Sequence, residues 1–333
     1  MTKLSTKSYF FLGSLVLFSL LPLALGDNRT IMHMLVLCFI WGVVAAAWDL
    51  ILGYARVLSF GQIAFFAIGG YTSAMLTMHL GISPWLGILA GGGLTCAIGL
   101  AIGLPCLRLR GIYVSMVTFA VHLILPTIMV AGEPLGTGGS WGLTGLAPLY
   151  VGTYTFSKIE LVPWYYVAFG IFTLSLFAIY KIINSPVGLA FMALRDSEPL
   201  AKNLGVNEYR YLLMVFGISA FITGIMGAFY VHYTAAITPA IYRLENFLLA
   251  LVMLMLGGAA RFPGAVIGAF AIIFINYNLL PLGGLRLVIL GTIVVVVMMA
   301  LPQGLVGIPE AVNRLIKQTF RKKAPLPETN TEV

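Results

Sequence analysis

The chain alternates long apolar stretches with short polar punctuation. Runs free of Asp, Glu, Lys and Arg cover 8–26, 30–48, 57–107, 111–132, 161–180, 211–242, 262–285 and 287–309. A helix crossing about 30 Å of hydrocarbon needs about 20 apolar residues. Barrel strands would instead alternate apolar and polar residues over about ten positions, and no such alternation is present. Breakers within the runs divide them into ten predicted spans, near 9–26, 31–53, 58–78, 85–104, 112–131, 161–183, 211–235, 246–260, 262–280 and 287–303. The span 58–78 contains Gly61, Gly69 and Gly70 and is expected to break there. The short span 246–260 runs into Gly257-Gly258 and Arg261 and reads as broken or re-entrant. Gly87/Gly91, Gly99/Gly103 and Gly264/Gly268 form G-x-x-x-G pairs, and Gly217, Ala220, Gly224 and Gly227 mark another span. Small residues at this spacing let helix backbones approach closely.

Composition narrows the class. Only 9% of the 333 residues are charged, 60% are apolar, and the mean hydropathy is +1.00. A soluble domain carries roughly 25% charged residues, so a soluble globular enzyme is excluded, and disorder fails on apolar content. Cys38, Cys96 and Cys106 lack paired spacing and suggest neither a disulfide framework nor a zinc site. Lys and Arg placement orients the stack. With a cytoplasmic N-terminus, fifteen of the 19 basic residues face inward, and only Arg29, Lys158, Arg243 and Arg286 face outward. This topology accounts for the net charge of +8 without any nucleic-acid partner. The expected fold is therefore all-α, a polytopic membrane bundle of about ten transmembrane helices with both termini cytoplasmic. Residues 1–309 form the transmembrane domain and 310–333 a basic cytoplasmic tail. Lys3 and Lys7 before the first apolar run resemble a signal peptide, but the run exceeds the usual 7–15 residues of a signal core.

Chemistry is sparse. No G-x-x-x-x-G-K-[ST] loop occurs, so the chain has no P-loop route to nucleotide hydrolysis. Leu58-Ser59-Phe60-Gly61-Gln62 is a chance match to a transport-ATPase signature inside an apolar span. His33, His79, His122 and His232 stand alone, and no G-x-S-x-G elbow is present. The chain is read as a non-enzyme needing no cofactor or metal. Asp49 is the single acid well inside a span, which makes it a functional candidate. Two readings of it stay open: a structural hydrogen bond or ion pair, with Arg56 two turns away, or the coupling site of an ion- or proton-driven secondary transporter. Ser59, Gln62, Tyr71, Tyr113, Ser115 and Thr118 are candidates to line a route, or else bond helix to helix.

Two connections stand out. Residues 132–160 form a Gly-rich outside (periplasmic) connection. The inside loop opens at Ser185-Pro186, where Gly188 to Arg195 reads as a short amphipathic helix. Ser197 is placed to cap a second helix with Pro199 in its first turn, ended by Gly205. Leu189, Met192, Ala193 and Leu200 are expected to pack, with Arg195, Asp196, Glu198 and Lys202 outward. Such an element either docks into a soluble partner or is a solvated loop.

Several segments together resemble the permeases of branched-chain amino-acid ABC importers, of the LivM type. They are Asp49-Leu50-Ile51-Leu52-Gly53-Tyr54 with Leu58 to Thr72, Leu107-Arg108-Leu109-Arg110-Gly111-Ile112-Tyr113 with Thr118, and Gly138-Gly139-Ser140-Trp141-Gly142-Leu143-Thr144-Gly145. Ala193-Leu194-Arg195-Asp196-Ser197-Glu198 with Leu204-Gly205, and Gly257-Gly258 with Pro263-Gly264, complete the set. The resemblance implies a multi-pass subunit of the bacterial inner membrane that pairs with a second permease subunit, two ABC ATPase subunits and an external substrate-binding protein. It makes 188–206 the coupling loop, through Gly188, Ala193, Arg195, Asp196, Ser197, Glu198, Lys202 and Gly205, and Ser59, Gln62, Tyr71, Tyr113 and Thr118 the substrate path. Members often carry His at Gln62, an acid at Trp141 and Gly-Ser at Ala259-Ala260. Urea and amide permeases share the same landmarks, which leaves the cargo open.

Overall fold

The computed structural model describes residues 18–23, 26, 28–106, 109, 111–157, 160–300 and 304–307. Residues 9–17 of the first predicted span, Arg108, Arg110, Lys158, residues 301–303 of the last span and the basic tail 310–333 lie outside the described residues. Among the described residues, eleven α-helices follow the helical stretch 18–23: α1 (Arg29–Asp49), α2 (Gln62–Leu80), α3 (Pro84–Cys106), α4 (Ile112–Ala131), α5 (Leu161–Ile183), α6 (Pro186–Asp196), α7 (Glu198–Asn203), α8 (Glu208–Thr234), α9 (Leu244–Gly257), α10 (Gly264–Asn278) and α11 (Leu285–Ala300). Six helices are long and apolar enough to cross a membrane, and the first of them is α1 extended by the π-helical turn Leu50–Tyr54. The chain is thus a multi-pass helical membrane protein.

α1 is apolar on all sides and almost wholly buried, as expected of a central helix. α5 and α10 pack on it, and α10 also packs along α9. Residues 18–23 are helical, and Phe18 meets Phe39 at 5.8 Å between centroids. α8 lies along both α2 and α3. Glycine makes that crossing possible: a Cβ on Gly227 would overlap the Phe66 carbonyl, and one on Gly69 the backbone of Gly224. Gly69 and Gly70 therefore seat α2 on its neighbour instead of breaking it. α2 begins after Gly61, so the expected break is there alone. Thr95 Oγ1 returns its proton to the Gly91 carbonyl at 2.6 Å, which keeps a polar residue in the seam satisfied.

The connections after α4 and α8 carry short strands that the all-α expectation lacked. β1 (Leu143–Thr144) pairs antiparallel with β4 (Ala236–Ile237), and β2 (Tyr150–Val151) with β3 (Tyr154–Thr155). The β1–β4 pair does not sit at the rim. Ile237 packs against the middle of α2, where a Cβ on Gly70 would lie 2.8 Å from its Cδ1. Leu143, Leu146, Ile237 and Tyr242 form one buried cluster with Tyr71 and Ala67 of α2. Non-helical backbone at membrane depth is tolerated only inside protein or along a water-filled path. α9, 14 residues and about 21 Å of helix, starts from this sunken segment.

Candidate functional site

Two irregular segments enter the bundle from opposite sides and meet along one face of α4. The inner one spans residues 55–61, between the π turn and α2. Trp48 Nε1 donates to the Ser59 carbonyl at 2.8 Å, and Ser115 Oγ donates to the Leu58 carbonyl at 2.8 Å. The Phe60 N–H donates to Thr118 Oγ1 at 2.9 Å. The outer segment, 235–243, brings Tyr242 to His122 near the middle of α4, with ring centroids 6.0 Å apart. Ser115, Thr118 and His122 are all buried, and their spacing of three and four residues sets them on one helix face.

Aromatic rings close the gap between the segments. Phe247 of α9 lies 5.5 Å from Phe60, 5.5 Å from Phe119, 5.6 Å from His122 and 5.7 Å from Trp48, centroid to centroid. Above and below this plug, several buried polar atoms have no hydrogen-bond partner: Ser59 Oγ, the Tyr71 and Tyr242 hydroxyls, and both ring nitrogens of His122. The His122 ring lies against the Tyr242 backbone. Leaving such a group unpaired costs about 1–3 kcal/mol.

Of the residues expected to line a path, Ser59, Tyr71 and Thr118 come together here. Gln62 is buried but spent: its amide donates to Ser219 Oγ at 3.1 Å and to Thr223, while Ser219 Oγ donates to the Ala47 carbonyl at 2.6 Å. It pins α2 and α8 to α1. Tyr113 is 62% exposed on another face of α4 and stands apart from the cluster. His122 and Tyr242 were missed. The spacing Ser115, Thr118, His122 was the available signal, whereas nothing local flags Tyr242.

Asp49 works elsewhere. Its Oδ1 accepts the Ala260 N–H at 2.8 Å, and the Tyr54 hydroxyl accepts the Phe262 N–H at 3.0 Å. Gly53 lets the carboxylate and the Ala260 backbone meet, because a Cβ there would overlap both. The end of α1 thus holds the loop between α9 and α10. The partner is a backbone amide, and Arg56 is exposed with no ion pair among the described residues.

The loop between α5 and α8 folds as two helices; Ser185 caps the first as expected, while Ser197 stands at the cap position of the second without a side-chain bond. Ser185 Oγ accepts from the Val187 and Gly188 N–H groups at 3.2 and 3.4 Å, Ser197 precedes α7, and Gly205 adopts φ +85° after it. The packing face differs from expectation. Gly188, Ala190, Phe191 and Leu194 are buried, with Gly188 against the carbonyls of Ile182 and Ile183. Met192 and Ala193 are half-buried. Leu189, Leu200 and Leu204 are 62%, 58% and 75% exposed, so the loop presents leucines outward rather than inward. Between them, Arg195 pairs with Asp196 at 2.9 Å, and Lys202 bridges Glu198 (2.6 Å) and Glu208. Those two carboxylates hold the Lys202 ammonium above its ordinary pKa. α6 rests on α5, α8 and the π turn that carries Tyr54.

The architecture defines a multi-pass helical membrane protein. Residues 30–315 match the family described as branched-chain amino acid transport system / permease component, and the chain belongs to that family. It is 27% identical over 307 residues to the high-affinity branched-chain amino acid transport system permease protein LivM of Escherichia coli (strain K12), covering 84% of this chain and 70% of that one. LivM of Salmonella typhimurium (strain LT2) is 28% identical over 295 residues, covering 80% and 67%. LivH of the same strain is 22% identical over 297 residues, covering 81% and 92%, so the likeness is greater to these two LivM proteins. These relatives are transport permease components. No solved structure matches the chain.

Proposed function

We propose that the chain is a permease subunit of a binding-protein-dependent ABC importer for branched-chain amino acids, placed in the bacterial inner membrane with ten spans and both termini cytoplasmic. Family membership over residues 30–315 is the observation that carries this reading. A second permease subunit completes the pathway, two ATPase subunits grip the 188–206 loop, and an external binding protein delivers substrate near 132–160. Exposed Leu189, Leu200 and Leu204 on a capped helical pair support the ATPase contact, because exposed apolar patches on rigid elements mark binding surfaces. ATP-driven closure of the ATPases moves α6, and α6 bears on the π turn and the Asp49–Ala260 latch behind it. Coupling requires the ATPases and the loaded binding protein to bind the inward and outward states with different affinities.

Arg195→Glu tests the loop assignment. It sets a second carboxylate beside Asp196 and reverses the charge at the loop's centre. Leucine uptake by proteoliposomes holding the full importer should fall about tenfold or more, the equivalent of about 1.4 kcal/mol of coupling. Capture of leucine by the binding protein should not change. Wild-type uptake by this variant would remove the loop from the power stroke.

A further inference from the structure

The β2–β3 hairpin leaves its strands uncovered. Tyr150, Val151, Tyr154 and Thr155 are all exposed, Val151 to 60%. The register sets Tyr150 opposite Thr155 and Val151 opposite Tyr154, so Val151 and Tyr154 share one face. No Asp, Glu, Lys or Arg occurs anywhere in residues 134–157. A strand edge that faces water is ordinarily blunted by charges, and a lone two-stranded hairpin is marginal in water. Three contacts fix the height of this one. Trp85, in the first turn of α3, donates its Nε1–H to the Tyr150 carbonyl at 2.8 Å. The Tyr154 hydroxyl donates to Glu160, the residue just before α5. Phe156, directly after β3, packs edge-on against Trp164 in the first turn of α5, 5.4 Å between centroids. The hairpin therefore lies level with the heads of two helices long and apolar enough to span a membrane. It also lies over the outward-facing side of α3. Leu89, four residues after Trp85, is exposed on the same helix face, and Leu86 is exposed beside it. On α5 the exposed ring of Tyr166 stands near the same level.

We propose that the β2–β3 hairpin is a lipid anchor, with Tyr150, Val151 and Tyr154 seated in the boundary between phospholipid headgroups and acyl chains. The proposal rests on the multi-pass architecture alone and goes beyond the importer reading. Tyr and Trp gather at this depth because an apolar ring and a polar hydroxyl or indole N–H each find their medium there. Uncharged rings and an aliphatic side chain suit that boundary, and its water and headgroups satisfy the unpaired groups along the strand edges. The surface is also continuous with the exposed leucines of α3, which as part of a spanning helix face hydrocarbon. The end of the 132–160 connection thus belongs to lipid, and the Gly-rich stretch before it is left to the external binding protein.

The experiment uses the complete importer in proteoliposomes of phosphatidylethanolamine and phosphatidylglycerol, with a nitroxide label on Val151→Cys. Lipid-soluble oxygen and a water-soluble nickel chelate serve as the two collision partners of the label. Leu86→Cys gives the bilayer reference and Ser140→Cys, in the exposed Gly-rich stretch, the aqueous one. The unsubstituted complex sets the background from Cys38, Cys96 and Cys106. The oxygen-to-nickel collision ratio at Val151 should stand at least about threefold above that at Ser140, and loaded binding protein should leave it unchanged. Thr153→Cys, in the exposed turn of the hairpin, repeats the measurement should Val151→Cys fail to accumulate. A ratio equal to that at Ser140 would overturn the anchor. So would exclusion of both reagents before binding protein is added, which would give the patch to the second permease subunit, or exclusion only after it is added, which would give the patch to the binding protein. A lipid-like ratio in proteoliposomes that show no ATP-driven leucine uptake would count against the importer reading alone.

Discussion

Gly227→Leu should leave less than about a tenth of the wild-type protein in the membrane, measured by quantitative immunoblot of membrane fractions. Gly93→Leu should leave it within about a factor of two. The two glycines sit on facing helices and differ in what a side chain would meet. At Gly227 a Cβ would overlap the Phe66 carbonyl carbon and oxygen, which belong to helical backbone and cannot rotate aside. Overpacking among side chains usually costs about 1–3 kcal/mol, and a clash with main chain offers no such repacking. Relief requires separating α2 from α8. That would strip Gln62 of Ser219 and Thr223 and pull His232 Nε2 from Ser73 Oγ, now 2.8 Å away. At Gly93 nothing lies within 4 Å, and leucine is the better helix former by about 0.8 kcal/mol. Normal accumulation of Gly227→Leu would mean that the α2–α8 crossing is looser than drawn.

The limits of sequence reading follow the range of the interactions. The spans 112–131 and 161–183 are legible to the residue, because Gly111 and Gly132 frame one and Glu160 and Asn184 the other. The caps Ser185, Ser197 and Gly205 are legible for the same local reason. The packing face of the loop is not, because it depends on Gly188 meeting carbonyls at the end of α5. The path face of α4 could have been read from Ser115, Thr118 and His122, and that period excludes Tyr113. The sunken segment 235–243 has no local signal at all. Its depth comes from pairing with residues 143–144 and packing on Gly70, contacts nearly a hundred residues or more away. A charge count along the chain registers Arg243 alone and carries no sign that the segment before it packs on α2.

Asp49→Ala should cut leucine uptake by the assembled importer at least about tenfold, and Asp49→Asn should keep about half or more of it. The carboxylate uses one oxygen, Oδ1, to accept the Ala260 N–H, and an asparagine carbonyl accepts the same bond. Alanine leaves that amide unmatched in a half-buried loop at a cost of about 1–3 kcal/mol. Ala260 already holds φ +58°, a conformation residues with a Cβ seldom adopt, so the loop depends on its tether. Without the tether, the α9–α10 turn loses one of its two backbone bonds to the end of α1 among the described residues, the other being Tyr54–Phe262, and motion of the coupling helix would reach α9 more weakly. The pair of variants also separates the two roles open to a lone intramembrane acid. A proton- or ion-coupling site needs the ionisable group, so Asn would fail as badly as Ala. Equal loss of uptake in both variants, with the complex intact, would therefore reverse the assignment and make Asp49 an ion-coupling residue rather than the latch of a backbone turn.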